Sequence, residues 1–370
     1  MPAAGGNHTV LLRCDGRAVA CGDNSHGQCD LPDLDAGASY VQVAAGSGHT
    51  VLLRSDGRAV ACGDNRRGQC DLPEQELGAA YCQVAAGSAH TVLLRRDGRA
   101  VACGDNQHGQ CDLPELEPGA SYVQAALGHR HTVLLRSDGR VVACGANDCG
   151  QSAVPELEAG ARYTHVAAGH MSTVLLRGDG RAVAFGSIEN FQCDLPADEA
   201  SYAQAAVGGF HAVMLRSDGQ AVACGRNACG QRSWPKLEEE ARYVQVAAGN
   251  HHTVLLRSDG RAVACGFNSG GQCNLPALEP EMRFVASGVL RDFVVQLLVH
   301  GHPADRVVMC RNLLTGDALA AWTIAEGDLG QCALAQVAAA LSRPGARVRV
   351  VMPDGGLLSA TSTWAQLFQI

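Results

Sequence analysis

The sequence predicts an all-β protein: a seven-bladed β-propeller of four-stranded blades, followed by a small C-terminal α+β domain. Three observations carry that prediction. A block of about 41 residues recurs seven times, with anchors at His8, His49, His90, His131, Ser172, His211 and His252, spaced 41, 41, 41, 41, 39 and 41 residues apart. Each copy consists of short apolar runs separated by polar turns. Past about residue 300 the repeat stops and the composition changes. Self-similarity at this period marks an array, a solenoid or a propeller. A helical solenoid is disfavoured, because two glycine-bearing turns cut each copy into pieces too short for helices.

The second copy shows the elements in order. Residues 50–54 read TVLLR, a β-branched and aliphatic run that predicts a strand. Asp56-Gly57 follows, and Asp-Gly between two such runs is a hairpin signal because the tight turn needs positive φ. Residues 58–62 (RAVAC) are the second strand, and 64–69 (DNRRGQ) a polar turn. Residues 70–72 read as a short third strand, stopped by Pro73, and 81–86 (YCQVAA) as a fourth, ended by Gly87. Four short strands per repeat are one blade, and blades arranged radially are a propeller. The first copy begins at 7–9 with no YVQVAAG strand ahead of it, and an orphan of that strand stands at 283–288 (RFVASG). The orphan is expected to complete the first blade, which removes unpaired sheet edges. Residues 292–298 still echo TVLLR, so the propeller is drawn as 1–298.

The recurring pattern HTxxLxxDGxxxxxGxNxxGQ resembles the repeat of the regulator of chromosome condensation family. The resemblance covers residues 5 to about 298. It implies a seven-bladed propeller and leaves the role open, since that family includes a nucleotide exchange factor for a nuclear GTPase, an ultraviolet photoreceptor and propellers attached to ubiquitin ligases. There are departures. The position before the Gly, often Trp in the family, is Cys21, Cys62, Cys103, Cys144, Phe185, Cys224 and Cys265 here.

In the C-terminal segment, residues 307–314 and 318–324 predict strands around the turn Thr315-Gly316-Asp317. Residues 329–342 combine helix formers with apolar residues at helical spacing, and 348–352 is a further strand. This order, with LLTGDAL at the first turn, resembles a ubiquitin-like β-grasp domain over 304–370 that stops near where the last strand of that family begins. It would be a fused docking module, since the terminal Gly-Gly of a modifier is absent. A small α+β cap is the alternative.

Composition narrows the function. A net charge of -8 argues against direct nucleic-acid binding. No apolar run approaches the length of a membrane span, and the first residues lead straight into the first blade, so no membrane partner or secretory leader is expected. The 17 cysteines are odd in number and mostly fall at two fixed repeat positions, which reads as a reducing compartment, cytoplasmic or nuclear.

No catalytic, cofactor or metal site is expected. The Cys pairs, such as Cys21 and Cys29 around His26, tolerate Phe185, Ser152 and Arg232 at equivalent positions, as packing positions would and ligand positions would not. The recurring His reads as structural, with Ser172 standing in for it once. The glycine-rich stretches lack the Lys-Ser/Thr and following helix of a phosphate loop. Only Trp234, Trp322 and Trp364 are present, too few within the repeats for an indole-based light sensor.

Comparing copies separates scaffold from surface. One face carries the near-constant Asp-Gly turns and the acidic linkers. The other carries the turn before His-Thr and the Asn-x-x-Gly turn, whose residues differ in every copy. On that variable face Arg66, Arg67, His108, His129 and Arg130 lie in adjacent copies and are expected to form a basic sector for an acidic protein surface. The function expected is therefore a non-catalytic protein-interaction scaffold or adaptor, tied by resemblance to ubiquitin-system components. The alternative is exchange or regulation of a small GTPase. The near-constant repeat length leaves no insertion that could act as a wedge at a nucleotide site.

Overall fold

The computed structural model describes residues 2–35, 37–75, 80–158, 160–187, 195, 200–237, 241–278 and 282–285, and the backbone of four later strands. The chain divides into two compact units, Met1–Ser287 and Gly288–Ile370. The first holds seven antiparallel sheets. In the second blade the strands are Tyr40–Ala45 innermost, His49–Arg54 in the middle and Ala59–Gly63 outside. The other six blades repeat this arrangement.

Each sheet has three strands, not the four expected. The segment at 70–72 is held as a turn by its own polar groups. Asn65 Oδ1 accepts from the Cys70 amide at 2.8 Å, Asn65 Nδ2 donates to Asp71 Oδ1 at 2.7 Å, and the Asp71 amide donates to the Gly68 carbonyl. Groups that a ladder would need are taken locally. A blade therefore opens with the YVQVAA strand, and the sequence repeat straddles two blades.

The middle strand is buried on both faces, which explains its unbroken apolar run. Its side chains alternate between neighbours. Val10 and Leu12 pack with Tyr40, Val43 and Leu52 of the second blade, while Leu11 packs with Val254 and Leu256 of the seventh. The core is thus a chain of clusters between blades, closed from the last blade to the first.

Three polar belts run around the same ring. At the axis, the amide after each ring glycine donates to the ring-glycine carbonyl of the next blade, from Gly6 to Gly46 and on around to Asn250 and Gly5. A side chain on Gly46 would strike the His49 imidazole and the Gly87 carbonyl. Along the inner strands, glutamines satisfy the neighbouring edge: Gln42 Oε1 accepts from the Val84 amide at 2.9 Å, and Gln83 from that of Ala125 at 3.0 Å.

The third belt uses the recurring histidine. Six imidazoles meet a threonine of the next blade, Nε2 to Oγ1, at 2.8–3.0 Å. Each of those threonines donates its hydroxyl to a glutamine carbonyl, as Thr50 does to Gln28 at 2.7 Å. The hydroxyl proton is therefore spent, so Nε2 carries the proton and donates, and Nδ1 is bare. All six Nδ1 atoms are buried without a partner among the described residues.

Ser172 does not stand in for the missing histidine. Its hydroxyl is buried and finds no partner among the described residues, and the threonine it would face is Ala212. Where His49 lies against Gly46, the Val207 side chain lies against Gly169. One polar staple has been replaced by apolar packing, in the cluster that holds Val207, Ala212 and Met214.

Closure differs from the expectation in detail. The inner strand of the first blade is shared between two distant segments. Pro2–Ala4 pairs with residues 9–11 of the middle strand, and Phe284 bridges Arg13. Phe284 occupies the position that Tyr40 holds opposite Arg54 in the second blade. It is buried, and Val285 donates to the Leu12 carbonyl at 3.0 Å. The orphan strand expected at 283–288 thus supplies only the outer part. Short as it is, the segment from residue 2 supplies the rest.

In the second unit, Asp292–His300, Arg306–Asn312, Ala318–Ile324 and Arg347–Val351 form one mixed sheet. Asp292–His300 sits between Arg306–Asn312, to which it is antiparallel, and Arg347–Val351, to which it is parallel. Residues 292–298 therefore belong to this sheet and not to the propeller. The ubiquitin-like reading is not supported: the sheet has a strand outside the expected 304–370, and the helix expected at 329–342 lies outside the described residues.

Candidate functional site: the variable-turn face

The two variable turns of each blade meet on one face. The Asp64 amide donates to the Gly48 carbonyl at 2.7 Å, and the same bond recurs in every blade, through Arg226 to Phe210 and Phe267 to His251. On the opposite face the Asp-Gly turns meet the linkers, where Arg54 pairs with Asp35 and Asp56 at 2.8 and 3.0 Å. Gly57 takes a φ of 82° there, which is what the hairpin turn requires of it.

The structure brings part of the expected basic sector together and cancels part of its charge. Arg66 forks onto Asp64 of its own turn, Nε to Oδ1 at 2.8 Å and Nη2 to Oδ2 at 2.9 Å. Those hydrogen bonds hold the Asp64 carboxyl down to about 2. Arg67 lies 3.9 Å from Asp105 of the next blade. His108 and Arg130 are exposed on the same face. His129 is half-buried, and burial, with the neighbouring His170 and Arg130, pushes its pKa down to about 4, so it is neutral near pH 7. Asp23, Asp64 and Asp105 follow the outer-strand glycine in the first three blades, so this half of the face is a mixed charge field.

The other half holds a row of rings. His129 and His170 have centroids 4.2 Å apart, His170 and Phe210 6.0 Å, Phe210 and His251 4.9 Å, and His251 and Phe267 6.1 Å. Arg226 stands 5.8 Å over the Phe210 ring. The row crosses the fourth to seventh blades. Beside it, at the axis, is a depression of about 150 Å³ lined by ring glycines, Ser47, Ser88, His129, His170 and Asn250. The sequence shows these turn residues to be variable but not that they touch. One column of the repeat carries the signal for this division: the residue after the outer-strand glycine is Asp23, Asp64, Asp105, Ala146, Ser187, Arg226 and Phe267. Read down the copies, it separates an acidic half from a half with Arg and Phe.

The site offers little for chemistry. Nε2 of six histidines is committed to the belt. Among the described residues no group of three or more His, Cys, Asp or Glu is placed to hold a metal ion. The 14 described cysteines are free, and burial pushes the repeat thiols up, Cys62 and Cys103 to about 12.

A closed ring of seven three-stranded blades, with one constant and one divergent face, defines a β-propeller. Its repeats are RCC1-like: the family "Regulator of chromosome condensation (RCC1) repeat" matches residues 3–28, 40–69, 81–110, 122–151, 202–231 and 243–272. The fifth copy, with Ser172 and Phe185, is passed over. No curated protein sequence matches the chain. Among solved structures, human WBSCR16 is 20% identical with a TM-score of 0.57, over 69% of this chain and 85% of that one. The CRINKLY WD40 ectodomain of the Arabidopsis thaliana receptor kinase ACR4 is 20% identical with a TM-score of 0.59, over 73% and 96%. The ectodomain of the Physcomitrella patens receptor kinase CR4 is 17% identical with a TM-score of 0.58, over 72% of each chain. At these identities the likeness is one of fold.

Proposed function

We propose that this chain is a non-catalytic protein-binding propeller that engages its partner through the variable-turn face. One observation carries the reading. A frame that repeats nearly residue for residue, down to the same belts in blade after blade, presents one constant face and one on which every copy differs. Divergent side chains on turns fixed by a rigid scaffold suit recognition. The free, packed thiols suit a reducing compartment, cytoplasmic or nuclear. Regulation of a small GTPase is the second reading, and the even repeat length gives it no wedge. A link to ubiquitin ligation rests on resemblance alone.

The test is capture from cell extract by the full chain, read by mass spectrometry, with Arg66, Arg67 and Arg130 changed together to Glu. Folding is expected to survive, since exposed substitutions usually move stability by about 0.5 kcal/mol or less each. Capture of an acidic partner is expected to weaken, more so at low salt. Loss of capture on changing Arg58 and Arg99, beside the constant turns, with normal capture by the triple variant, would assign binding to the other face.

A further inference from the structure

We propose that the row of rings on the fourth to seventh blades is a docking groove for an acidic peptide with an aromatic or aliphatic anchor side chain. This rests on the protein-binding reading and names both the half of the face and the chemistry of the partner.

The rings are not there for the fold. The positions of His129 and His170 are Ser47 and Ser88 in the second and third blades, and those of Phe210 and His251 are Gly48 and Ala89. Blades close equally well without them. Four neighbouring blades nonetheless place rings side by side, half-buried, with Phe267 38% exposed at the end. A contiguous row of partly exposed rings on a rigid frame marks an interaction surface. Nδ1 of His129 and of His251 is buried with no partner among the described residues, so these two ring nitrogens tie no element of the frame together. The axial depression beside His129 and His170, about 150 Å³, is lined by ring glycines, Ser47, Ser88 and Asn250 and sets polar groups next to the rings.

Charge selects the occupant. Arg130 and Arg226 are exposed beside the rings; burial first, and then Arg130 for His170 and Arg226 for His251, pushes the pKa of these two imidazoles down. Asp148 is the exposed carboxylate of the fourth blade's outer turn, and Asp105 lies beyond His129. The first three blades carry Asp23, Asp64 and Asp105 at the position where the sixth and seventh carry Arg226 and Phe267. An acidic segment is drawn to the ring half more than to the Asp half, so its place on the face is set. A nucleic-acid strand is the poorer fit, because it needs many phosphate contacts where two arginines are on offer.

The experiment is selection of a phage-displayed random peptide library on the full chain, then anisotropy with the synthesised winners. Enriched peptides are expected to be acidic and to carry an aromatic or aliphatic residue. Affinity is expected to fall roughly tenfold or more in Phe267→Ser and in the Phe210→Ala, His251→Ala pair, the loss typical of removing an aromatic anchor. It is expected to stay unchanged in the Arg58→Glu, Arg99→Glu pair, beside the constant turns of the other face. Phe267 is exposed, so its variant folds even if the double variant does not. Winners that bind all these variants equally would overturn the groove while leaving a protein-binding propeller standing. Basic winners, no enrichment, or displacement of the winner by an oligo-dT strand would overturn it as well. Failure of the broader reading shows separately, as no protein captured from extract.

Discussion

Thr132 shows what a single side chain does in this ring. Its hydroxyl accepts from His90 and donates to the Gln110 carbonyl at 2.8 Å, joining two blades through one oxygen. Thr132→Val keeps the shape and strands both partners in a dry site. A cost of about 1–3 kcal/mol is expected, because an unsatisfied buried polar group loses its full solvation, and urea titration would measure it. The seam between the fifth and sixth blades should answer in the opposite sense. Ser172→His alone should destabilise, since Val207 fills the space and Ala212 offers no hydroxyl. Adding Val207→Ala and Ala212→Thr should recover stability lost by the single change. If Ser172→His is neutral by itself, packing of Val207 and Ala212 is not what holds that seam.

At the scale of the element, the divided inner strand of the first blade is the decisive feature. Phe284 sits 5% exposed in the cluster with Leu11, Val254 and Leu256. Phe284→Ala is expected to cost about 3–5 kcal/mol, the usual range for emptying a buried phenyl site. Phe284→Tyr should be tolerated. Other blades carry Tyr there, and Tyr40 and Tyr122 donate their hydroxyls to Pro32 and Pro114 eight residues earlier, both at 2.6 Å; Pro276 occupies that place ahead of Phe284. Thermal melts of the two variants decide it. Equal loss in both would mean that this position does not serve as the tyrosine positions do.

Across the whole molecule the histidine belt makes stability depend on acid. Burial pushes His8, His49, His131 and His252 down to about 4, and His90 and His211 to about 3. The unfolded chain takes up protons near 6.5, while the folded chain refuses them until far lower. Below 6.5 the unfolded state therefore binds more protons, and stability, full above that pH, falls as pH drops toward 4. A tenfold difference in proton affinity is worth about 1.4 kcal/mol per group. Six groups, each with a larger difference than that, together make a loss of the same order as the roughly 5–15 kcal/mol typical of a domain. Cooperative unfolding is expected between pH 6.5 and 4, observable by circular dichroism. A fold unchanged at pH 4 would show that the belt accepts protons after all.

The sequence by itself determined the period, the seven copies, the antiparallel strands and the separation of a constant from a variable face. Those features are local: TVLLR prefers a strand, Asp-Gly turns it, and repetition multiplies one answer seven times. Residues 70–72 misled because their apolar character resembles a strand, while Asn65 and Asp71 take up the groups a ladder would need. Tertiary structure alone decided what depends on neighbours in space. His49 meets Thr91 because adjacent blades place them together, and Ser172 is intelligible only beside Ala212 and Val207. Joining residues 2–4 to Phe284 in one strand required the ring to close. The expected arginines lost part of their charge to Asp64 and Asp105, and His129, His170, Phe210, His251 and Phe267 became one surface, for the same reason: side chains some 40 residues apart in the chain are neighbours around the ring, and pairwise energies at a surface follow distance in space.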